Sequence, residues 1–361
     1  MADIRKRIGV LTSGGDCPGL NAVLSGLVRA AAGFGYETLG FHEGFEGLLG
    51  EGRFEVLTPE STQGIMQQGG TILGTTNKGH FVAKVRGGTS TRVPSSAIEQ
   101  AIATRDRLGL QGLVVIGGDG SLTTAQQLWE AGIPIIGVPK TIDNDLDATS
   151  TTFGFDSATA CVTEALDRLH TTARSHKRLL VVEVMGRHAG WIALHGGMAG
   201  GADIILIPEI AFDLDKVART VRKRDAEGHP STLLVVAEGA KPRDGKEQVQ
   251  AKGSGEYKLG GIGELVAREI ARRTHKETRT CVLGHLQRGG APTAVDRILG
   301  TRFGVKAAEL VKEGQFGQMV SYQNEEVGAV PILAAIHRLR TVPPLSPVVK
   351  AARAVGISFG D

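Results

Sequence analysis

Three short loops combine glycines, carboxylates and small polar residues in a pattern that suits phosphate chemistry. Residues 12–21 read TSGGDCPGLN, residues 117–121 read GGDGS, and residues 139–145 read PKTIDND. Backbone N–H groups of glycine-rich loops at helix N-termini bind phosphate oxygens. Asp143 and Asp145 can divide the work, since one carboxylate can accept a hydroxyl proton and the other can support a metal ion. The loops therefore indicate phosphoryl transfer.

Each loop alone also has a simpler explanation. Gly14 and Gly15 fit an ordinary strand-to-helix turn, because the loop is neither a Walker A sequence nor a GxGxxG fingerprint. Asp119 fits the N-terminal cap of the next helix. Asp143 and Asp145 fit a polar turn. Three such loops at successive strand ends favour a functional site over these explanations.

The second half of the chain offers positive charge for an anionic ligand. The candidate side chains lie beside strand ends or glycine pairs: Arg178, Arg187, Glu238, Arg279, His285 and Arg288. One such arginine alone is more often a solvated surface charge. The guanidinium group of an arginine can donate two parallel hydrogen bonds to a phosphate group, and a carboxylate can bind sugar hydroxyls. The set predicts a sugar-phosphate site.

Short aliphatic runs and helical stretches alternate along the chain and would position these loops. The runs, each predicting a strand buried on both faces, are Ile8–Leu11, Leu113–Ile116, Ile133–Val138, Leu179–Val184, Ile204–Ile207 and Leu233–Val236. The helical stretches are Ala22–Ala32, Ser121–Ala131 and Ser157–Thr172. The alternation predicts an α/β fold with doubly wound parallel sheets, in which ligands bind beyond the carboxyl ends of the strands.

Composition narrows the class of protein. The chain has 361 residues, of which 41% are hydrophobic and 22% charged, as expected of a soluble globular protein with room for two domains. A net charge of +3 gives no case for nucleic acid as a partner. Three cysteines without a CxxC pair argue against disulfides or a zinc site. Without a membrane-length apolar run or a signal-peptide pattern, we expect a cytoplasmic protein.

Five segments, in this order, resemble the phosphofructokinase family: SGGDCPGLNA, GGDGS, PKTIDND, EVMGRHAGW and LGHLQRGG. The resemblance covers about residues 7–304. It implies Mg²⁺-dependent transfer of a phosphoryl group from ATP to the 1-hydroxyl of fructose 6-phosphate, a step of glycolysis. It also implies two Rossmann-like domains: residues 1–154 with 287–338 for the donor, and 155–286 with 339–361 for the sugar phosphate. A homotetramer or homodimer with sites shared between subunits is expected.

The same resemblance gives each candidate residue a role. Asp143 would be the catalytic base, and Arg187, Thr141 and Lys140 would stabilise the transferring group. Asp119 and Asp145 would hold Mg²⁺. The donor would be bound by Gly15, Asn77, Lys78, Gly118, Asp119, Gly120 and Ser121. The sugar phosphate would be bound by Thr141, Asp143, Met185, Gly186, Arg187, Glu238, His285 and Arg288, with Arg178 and Arg279 reaching it from a neighbouring subunit.

The phosphoryl donor depends on two positions at which the family divides. Relatives that use pyrophosphate typically carry Asp and Lys at the positions of Gly120 and Lys140, whereas familiar bacterial ATP enzymes carry Gly at both. An Asp at position 120 would repel the α-phosphate of a nucleotide, while a lysine at 140 can rotate away. We therefore expect ATP, with pyrophosphate as the alternative. Asn77 stands where an arginine commonly meets the donor, and Lys78 is the adjacent cation.

Two further alternatives come from other classes. A non-catalytic regulatory subunit of the same fold would have lost its chemistry, yet Asp119, Asp143 and Arg187 are all present. A lipid or NAD kinase could share the GGDG loop. The PKTIDND segment and the sugar-phosphate arginines argue against that class.

Overall fold

The computed structural model describes residues 6–76, 78–81, 85–86, 89–90, 92–243, 245, 249–252 and 257–361. These residues form two compact units. The first holds the described residues of Met1–Ile142, Leu146–Asp156 and Arg288–Arg338, and the second holds those of Asp143–Asp145, Ser157–Gln287 and Leu339–Asp361. The assignment of one unit to the donor and the other to the sugar stays a prediction.

The secondary structure is mixed α/β in both units. The strands are β1 (Lys6–Thr12), β2 (Tyr36–Phe41), β3 (Phe54–Leu57), β4 (Val85–Arg86), β5 (Thr89–Ser90), β6 (Leu110–Gly117), β7 (Ile135–Pro139), β8 (Leu179–Val184), β9 (Ile204–Leu206), β10 (Thr232–Ala237), β11 (Val249–Lys252), β12 (Tyr257–Leu259), β13 (Thr278–Val282), β14 (Gln318–Gln323) and β15 (Glu326–Pro331). The helices are α1 (Leu20–Gly33), α2 (Ser95–Leu108), α3 (Asp119–Glu130), α4 (Phe155–His176), α5 (Trp191–Ala199), α6 (Leu214–Ala226), α7 (Ile262–Thr274), α8 (Ala294–Lys312), α9 (Ile332–Ile336) and α10 (Pro347–Ala354). Short 3₁₀ helices span Gly44–Leu48 and Gly284–Arg288. Among the described residues, no helix is both long and apolar enough to span a membrane.

The first unit is built on a seven-stranded sheet in the order β15-β14-β7-β6-β1-β2-β3. The strands from β14 to β2 run parallel, and β3 and β15 pair antiparallel at the two edges. β6 lies between β1 and β7, so the loops that follow these three strands leave the same edge of the sheet. This is the edge at which parallel α/β sheets bind ligands.

Helices α1 and α8 pack closely beside this sheet because both carry glycines at their contact. A Cβ on Gly26 would lie 2.5 Å from the carbonyl oxygen of Thr301, and one on Gly304 would lie 2.2 Å from that of Val23. Such distances leave no room for a side chain. α1 is also almost entirely buried, from Leu20 to Val28, and it begins directly after the first glycine loop. The packing therefore fixes the helix that supports this loop.

The second unit contains a four-stranded parallel sheet in the order β13-β8-β10-β9. Strands β8 and β10 are buried throughout, as all-apolar central strands should be. A core between the sheet and helices α6 and α7 includes Val181, Leu234, Val217 and Val266. The loops after β8, β10 and β13 therefore leave one edge of this sheet.

The sequence prediction of an α/β fold with parallel sheets is confirmed. The six apolar runs lie in or overlap β1, β6, β7, β8, β9 and β10, and the three helical stretches lie in α1, α3 and α4 or extend one residue beyond. The sequence did not reveal β2, β13, β14 or β15. Their sequences mix polar and apolar residues, and all four strands include partly exposed positions, so no unbroken apolar run marks them.

Candidate active site

Three predicted phosphate loops lie against one another in the first unit, where they contribute residues 12–21, 117–121 and 139–142. The Ser13 N–H donates to the carbonyl oxygen of Ile116 (2.9 Å), and the Lys140 N–H donates to that of Gly117 (2.9 Å). A Cβ on Gly14 would lie 3.3 Å from Oγ of Ser121 and 3.5 Å from Nζ of Lys140. The structure thus brings one residue of each loop to a common point, with a glycine where a side chain would fill the space.

Lys140 is part of the frame of these loops. Its side-chain ammonium donates to the carbonyl oxygen of Gly15, and the residue is only 4% exposed. Burial lowers the pKa of Lys140, and the positive charge of Arg288 acts in the same direction. The expectation that this lysine can rotate away from a bound nucleotide therefore needs correction, because rotation would break the bond to Gly15.

Arg288 is placed against the first glycine loop. Its Nη1 donates to the carbonyl oxygen of Asp16 (3.0 Å), and it belongs to the first unit together with that loop. The resemblance gives this arginine a role in sugar-phosphate binding, which stays a prediction. Within the first unit, Arg288 places the N–H groups of its guanidinium beside the backbone of Gly15.

Asp119 is the first residue of α3 and does not cap it. The N-cap is Gly118, and the helix start has no side-chain cap hydrogen bond. The simpler explanation of this carboxylate as a helix cap is therefore wrong. The first N–H groups of a helix have no partner within the helix, so those of Asp119, Gly120 and Ser121 suit an oxyanion.

The carboxylates present fit a Mg²⁺ ion that arrives with its substrate. Among the described residues there is no group of three or more His, Cys, Asp or Glu side chains able to hold a metal ion. Mg²⁺ commonly uses one or two protein carboxylates together with water and substrate phosphates. The partly exposed Asp119, beside N–H groups suited to phosphate, matches that kind of site.

A fourth loop of the first unit, residues 70–76, is tied to the first one. The Thr75 hydroxyl donates to the carbonyl oxygen of Gly14 (2.7 Å) and the Gly14 N–H donates to that of Thr76 (3.3 Å). The Asn21 side chain accepts from the Ile72 N–H (3.0 Å). Asn77 lies outside the described residues. Lys78 is exposed, and its N–H donates to the Thr76 hydroxyl (3.1 Å). The sequence indicated Asn77 and Lys78, which follow this loop, but not the residues that anchor it, Thr75 and Asn21.

In the second unit, the loops after β8 and β10 lie together. The Glu238 N–H donates to the carbonyl oxygen of Val184 (2.9 Å), and the Gly239 N–H donates to that of Gly186 (3.2 Å). A Cβ on Gly239 would lie 2.0 Å from the carbonyl oxygen of Arg187. Glu238 therefore adjoins the Met185–Arg187 segment, as a sugar site formed by both loops requires.

A glutamine that the sequence did not suggest joins the loop after β13 to the loops after β8 and β10. Gln287 is 1% exposed, and its Oε1 accepts from the Met185 N–H (3.3 Å) while its Nε2 donates to the carbonyl oxygen of Gly284 (3.0 Å). His285 lies in the same 3₁₀ turn and is exposed. In the LGHLQRGG segment the candidate residues are His285 and Arg288, and the glutamine between them is the signal that could have pointed to this contact.

Arg178 and Arg279 lie apart from this group. Both pair with Glu277, at 2.8 Å and 2.6 Å, near the amino ends of β8 and β13. The hydrogen bond from Arg178 holds the pKa of Glu277 below its usual range. Met185 and Glu238 follow the carboxyl ends of the neighbouring strands. Within one chain, the structure thus places these two arginines at the opposite edge of the sheet.

Asp143 and Asp145 belong to the second unit, whereas Lys140 and Thr141 belong to the first. The Thr141 carbonyl oxygen accepts from the Thr152 hydroxyl (2.7 Å). Asp145 presents its carbonyl oxygen to the N–H of Arg340 (2.8 Å). Arg340 is a second residue that the sequence did not suggest.

Comparison with known proteins places these features in a family. The phosphofructokinase family model matches residues 7–311. An ATP-dependent 6-phosphofructokinase of Chloroflexus aurantiacus (strain ATCC 29366 / DSM 635 / J-10-fl) is 51% identical over 361 residues, which is 100% of this chain and 99% of the relative. One of Mycobacterium tuberculosis (strain ATCC 25618 / H37Rv) is 46% identical over 341 residues, covering 93% of this chain and 96% of that protein.

Solved structures show the same fold. The phosphofructokinase of Saccharomyces cerevisiae has a TM-score of 0.79 and 32% identity, covering 92% of this chain and 45% of that one. A pyrophosphate-dependent phosphofructokinase of Marinobacter aquaeolei also has a TM-score of 0.79, at 21% identity, with 95% of this chain and 87% of the other covered. The latter likeness concerns the fold alone.

Proposed function

This chain belongs to the phosphofructokinase family, and from that premise we propose that it transfers the γ-phosphoryl group of ATP to the 1-hydroxyl of fructose 6-phosphate. The observation that carries the proposal is the meeting of three phosphate-suited loops at the carboxyl edge of β1, β6 and β7. The relatives named as ATP-dependent enzymes support the choice of donor. The reaction is a step of glycolysis, and we propose that it takes place in the cytoplasm.

The first unit would bind the donor. The N–H groups at the start of α3 and of Gly15 would bind phosphate oxygens, with Lys140 balancing their charge. Arg288, beside the same loop, keeps its proposed role in binding the sugar phosphate. Asp119, with Asp145 as the second candidate, would hold Mg²⁺. Bound there with the nucleotide, the ion would supply positive charge that offsets the negative charge developing on the transferring group.

The second unit would bind the acceptor. Asp143 would accept the proton of the sugar 1-hydroxyl, which makes the oxygen a better nucleophile. Arg187 and Thr141 would stabilise the charge of the transferring group. Met185, Gly186, Glu238 and His285 would bind the sugar phosphate, a role supported by the contacts that hold the loops after β8 and β10 together.

We also propose a homotetramer or homodimer in which Arg178 and Arg279 bind the sugar phosphate of a neighbouring subunit. Their location at the opposite edge of the sheet from Met185 supports this role. Mixing Asp143→Asn with Arg279→Ala subunits tests it. If sites are shared, the mixture regains activity that neither variant has alone. Some sites in the mixed oligomer then combine the intact Asp143 of one subunit with the intact Arg279 of its neighbour. No recovery in mixed oligomers would contradict the shared site.

Assays with each donor test the proposed reaction. Purified protein with Mg²⁺ and fructose 6-phosphate should form fructose 1,6-bisphosphate with ATP. Activity with pyrophosphate and not with ATP would replace the donor but keep the acceptor chemistry. No product with either donor, while fructose 6-phosphate binds, would instead support a non-catalytic role.

A further inference from the structure

A short segment of the chain's tail, Arg340–Val342, lies against the backbone of the Asp143–Asp145 loop in the second unit; we call it the strap. The main-chain N–H of Arg340 donates to the carbonyl oxygen of Asp145 (2.8 Å), and its Nη1 donates to that of Asn144 (3.2 Å). Arg340 thus bonds two successive peptide groups directly after the candidate base.

Asn144 has a backbone that benefits from such support. Its φ is 52°, in the left-handed region that non-glycine residues seldom adopt. The residue is 3% exposed, so water cannot easily replace a lost partner of its carbonyl group. A charged donor on this oxygen therefore helps to hold the conformation that sets the direction of Asp143.

The side chain of Arg340 is itself held in place by Trp191. Its Cζ lies 4.5 Å from the centre of the indole ring, and the indole Nε1 donates to the carbonyl oxygen of Arg340 (2.9 Å). Trp191 is 7% exposed. A cation over a buried indole, with a hydrogen bond from the same indole, fixes both ends of the arginine.

Glu209 connects the other end of the strap to the loop that carries Arg187. Its Oε1 accepts from the Val342 N–H (2.7 Å), and its two oxygens accept from the Gly190 N–H (3.0 and 3.2 Å). Gly190 is the N-cap of α5 and follows Arg187 by three residues. One carboxylate therefore ties the strap to the backbone beside the second candidate catalytic group.

We propose that Arg340 and Glu209 are positioning residues for phosphoryl transfer: through the strap they hold the Asp143 loop and the Arg187 loop in one frame. The inference rests on the proposed function, in which Asp143 is the base. Since misplacement of a reacting group by about 1 Å can lower a rate on the order of 100-fold, a brace on both loops acts on turnover rather than on substrate affinity.

The first test compares two arginines of the tail. Arg340→Ala should lower kcat about ten- to hundredfold and leave KM for fructose 6-phosphate within about threefold, with partial recovery in Arg340→Lys. Arg353→Ala is the matched control. Arg353 pairs with Asp361 (2.6 Å) and lies 4.7 Å from the Phe359 ring. Arg353→Ala therefore removes a polar contact and a cation–ring contact, as Arg340→Ala does, but at a position that does not contact Asn144. Wild-type kcat in Arg340→Ala would overturn the proposal.

The second test asks whether Arg340 acts through Asp143. In an Asp143→Asn background, Arg340→Ala should leave the residual turnover within about twofold, because the group it positions is already inactive. The same loss in both backgrounds would mean that the substitution damages the fold in general, and would overturn the proposal. If Asp143→Asn itself keeps normal turnover, the proposed base is wrong. In that case, kcat of Arg340→Ala in the otherwise wild-type protein decides whether the strap has a positioning role.

Glu209→Gln provides an independent variant should Arg340→Ala fail to fold. It keeps the shape and one acceptor oxygen but places an amide N–H₂ toward a backbone donor. We expect about a tenfold loss of kcat, an unchanged KM and a circular dichroism spectrum like that of the wild type. Unchanged kcat in this folded variant would exclude Glu209 from positioning.

Discussion

The guanidinium of Arg288 lies in the space that a side chain on Gly15 would need. A Cβ at Gly15 would be 2.8 Å from Nη1 of Arg288 and 3.2 Å from its Cζ. The same Nη1 donates to the carbonyl oxygen of Asp16 (3.0 Å). The absence of a side chain at Gly15 and the position of Arg288 are therefore two parts of one arrangement.

Gly15→Ala should displace Arg288 from the loop and raise KM for fructose 6-phosphate about ten- to hundredfold, since a lost charge-assisted contact costs about 1.5–3 kcal/mol. Steady-state kinetics at varied fructose 6-phosphate measure this. Gly328→Ala is the control, because a Cβ there would meet nothing within 4 Å. An unchanged KM in Gly15→Ala would show that Arg288 is not needed where it lies.

Asp143→Asn should lower kcat by about 10² to 10⁴, the usual contribution of a general base, with fructose 6-phosphate still bound. Stopped-flow kinetics and calorimetric titration measure the two quantities. Asp147→Asn serves as the control, because Asp147 pairs with the exposed Arg338. Turnover near the wild-type value in Asp143→Asn would contradict its role as base.

Gly120→Asp should raise KM for ATP more than Gly120→Ala does. Both substitutions add bulk at the start of α3, but only the carboxylate adds negative charge beside a nucleotide's phosphates. The comparison separates charge from size. Equal KM values for the two variants would leave charge repulsion with no part in donor choice.

Gly304→Ala should destabilise the protein by about 1–3 kcal/mol, because its Cβ would lie 2.2 Å from the Val23 carbonyl oxygen and helices α1 and α8 would have to separate. Urea unfolding followed by circular dichroism measures this. Gly33→Ala, in α1 but with nothing within 4 Å of the added Cβ, should be neutral or stabilising. Equal stability of the two variants would mean that the helices do not depend on their close approach.

Cys17 should resist alkylation in the folded protein. Burial raises the pKa of its thiol from 9.0 to about 12, so the reactive thiolate is scarce at pH 8. Because the pKa is higher in the folded than in the unfolded chain, the linked stability is present below pH 9.0 and is lost as pH rises toward about 12. Mass spectrometry after iodoacetamide treatment, with and without urea, should show modification of Cys17 only in urea. Rapid labelling without urea would contradict the burial.

The sequence predicted central strands and phosphate loops well because local residue types carry both signals. Strands β8 and β10 are buried along their whole length and therefore read as unbroken apolar runs. By contrast, β13 reads TRTCV with partly exposed positions, so no run marks it. Glycines and aspartates likewise mark a loop by their own chemistry.

The supporting residues could not be found this way because their partners are distant in sequence. Arg340 contacts Asn144 across 196 residues, and Glu209 contacts Val342 across 133. Nothing near Arg340 in the sequence distinguishes it from Arg338, whose side chain makes an exposed ion pair with Asp147. Only the fold decides which of these two arginines reaches the Asp143 loop.

The strap also has a consequence for how the protein is made. The Asn144 carbonyl group and the guanidinium that bonds it are separated by 196 residues of chain. At about 5–20 residues per second of synthesis, the ribosome reaches Arg340 roughly 10–40 s after Asn144. During that interval the nascent loop lacks its brace. Catalytic competence should therefore appear only after the strap has emerged from the ribosome.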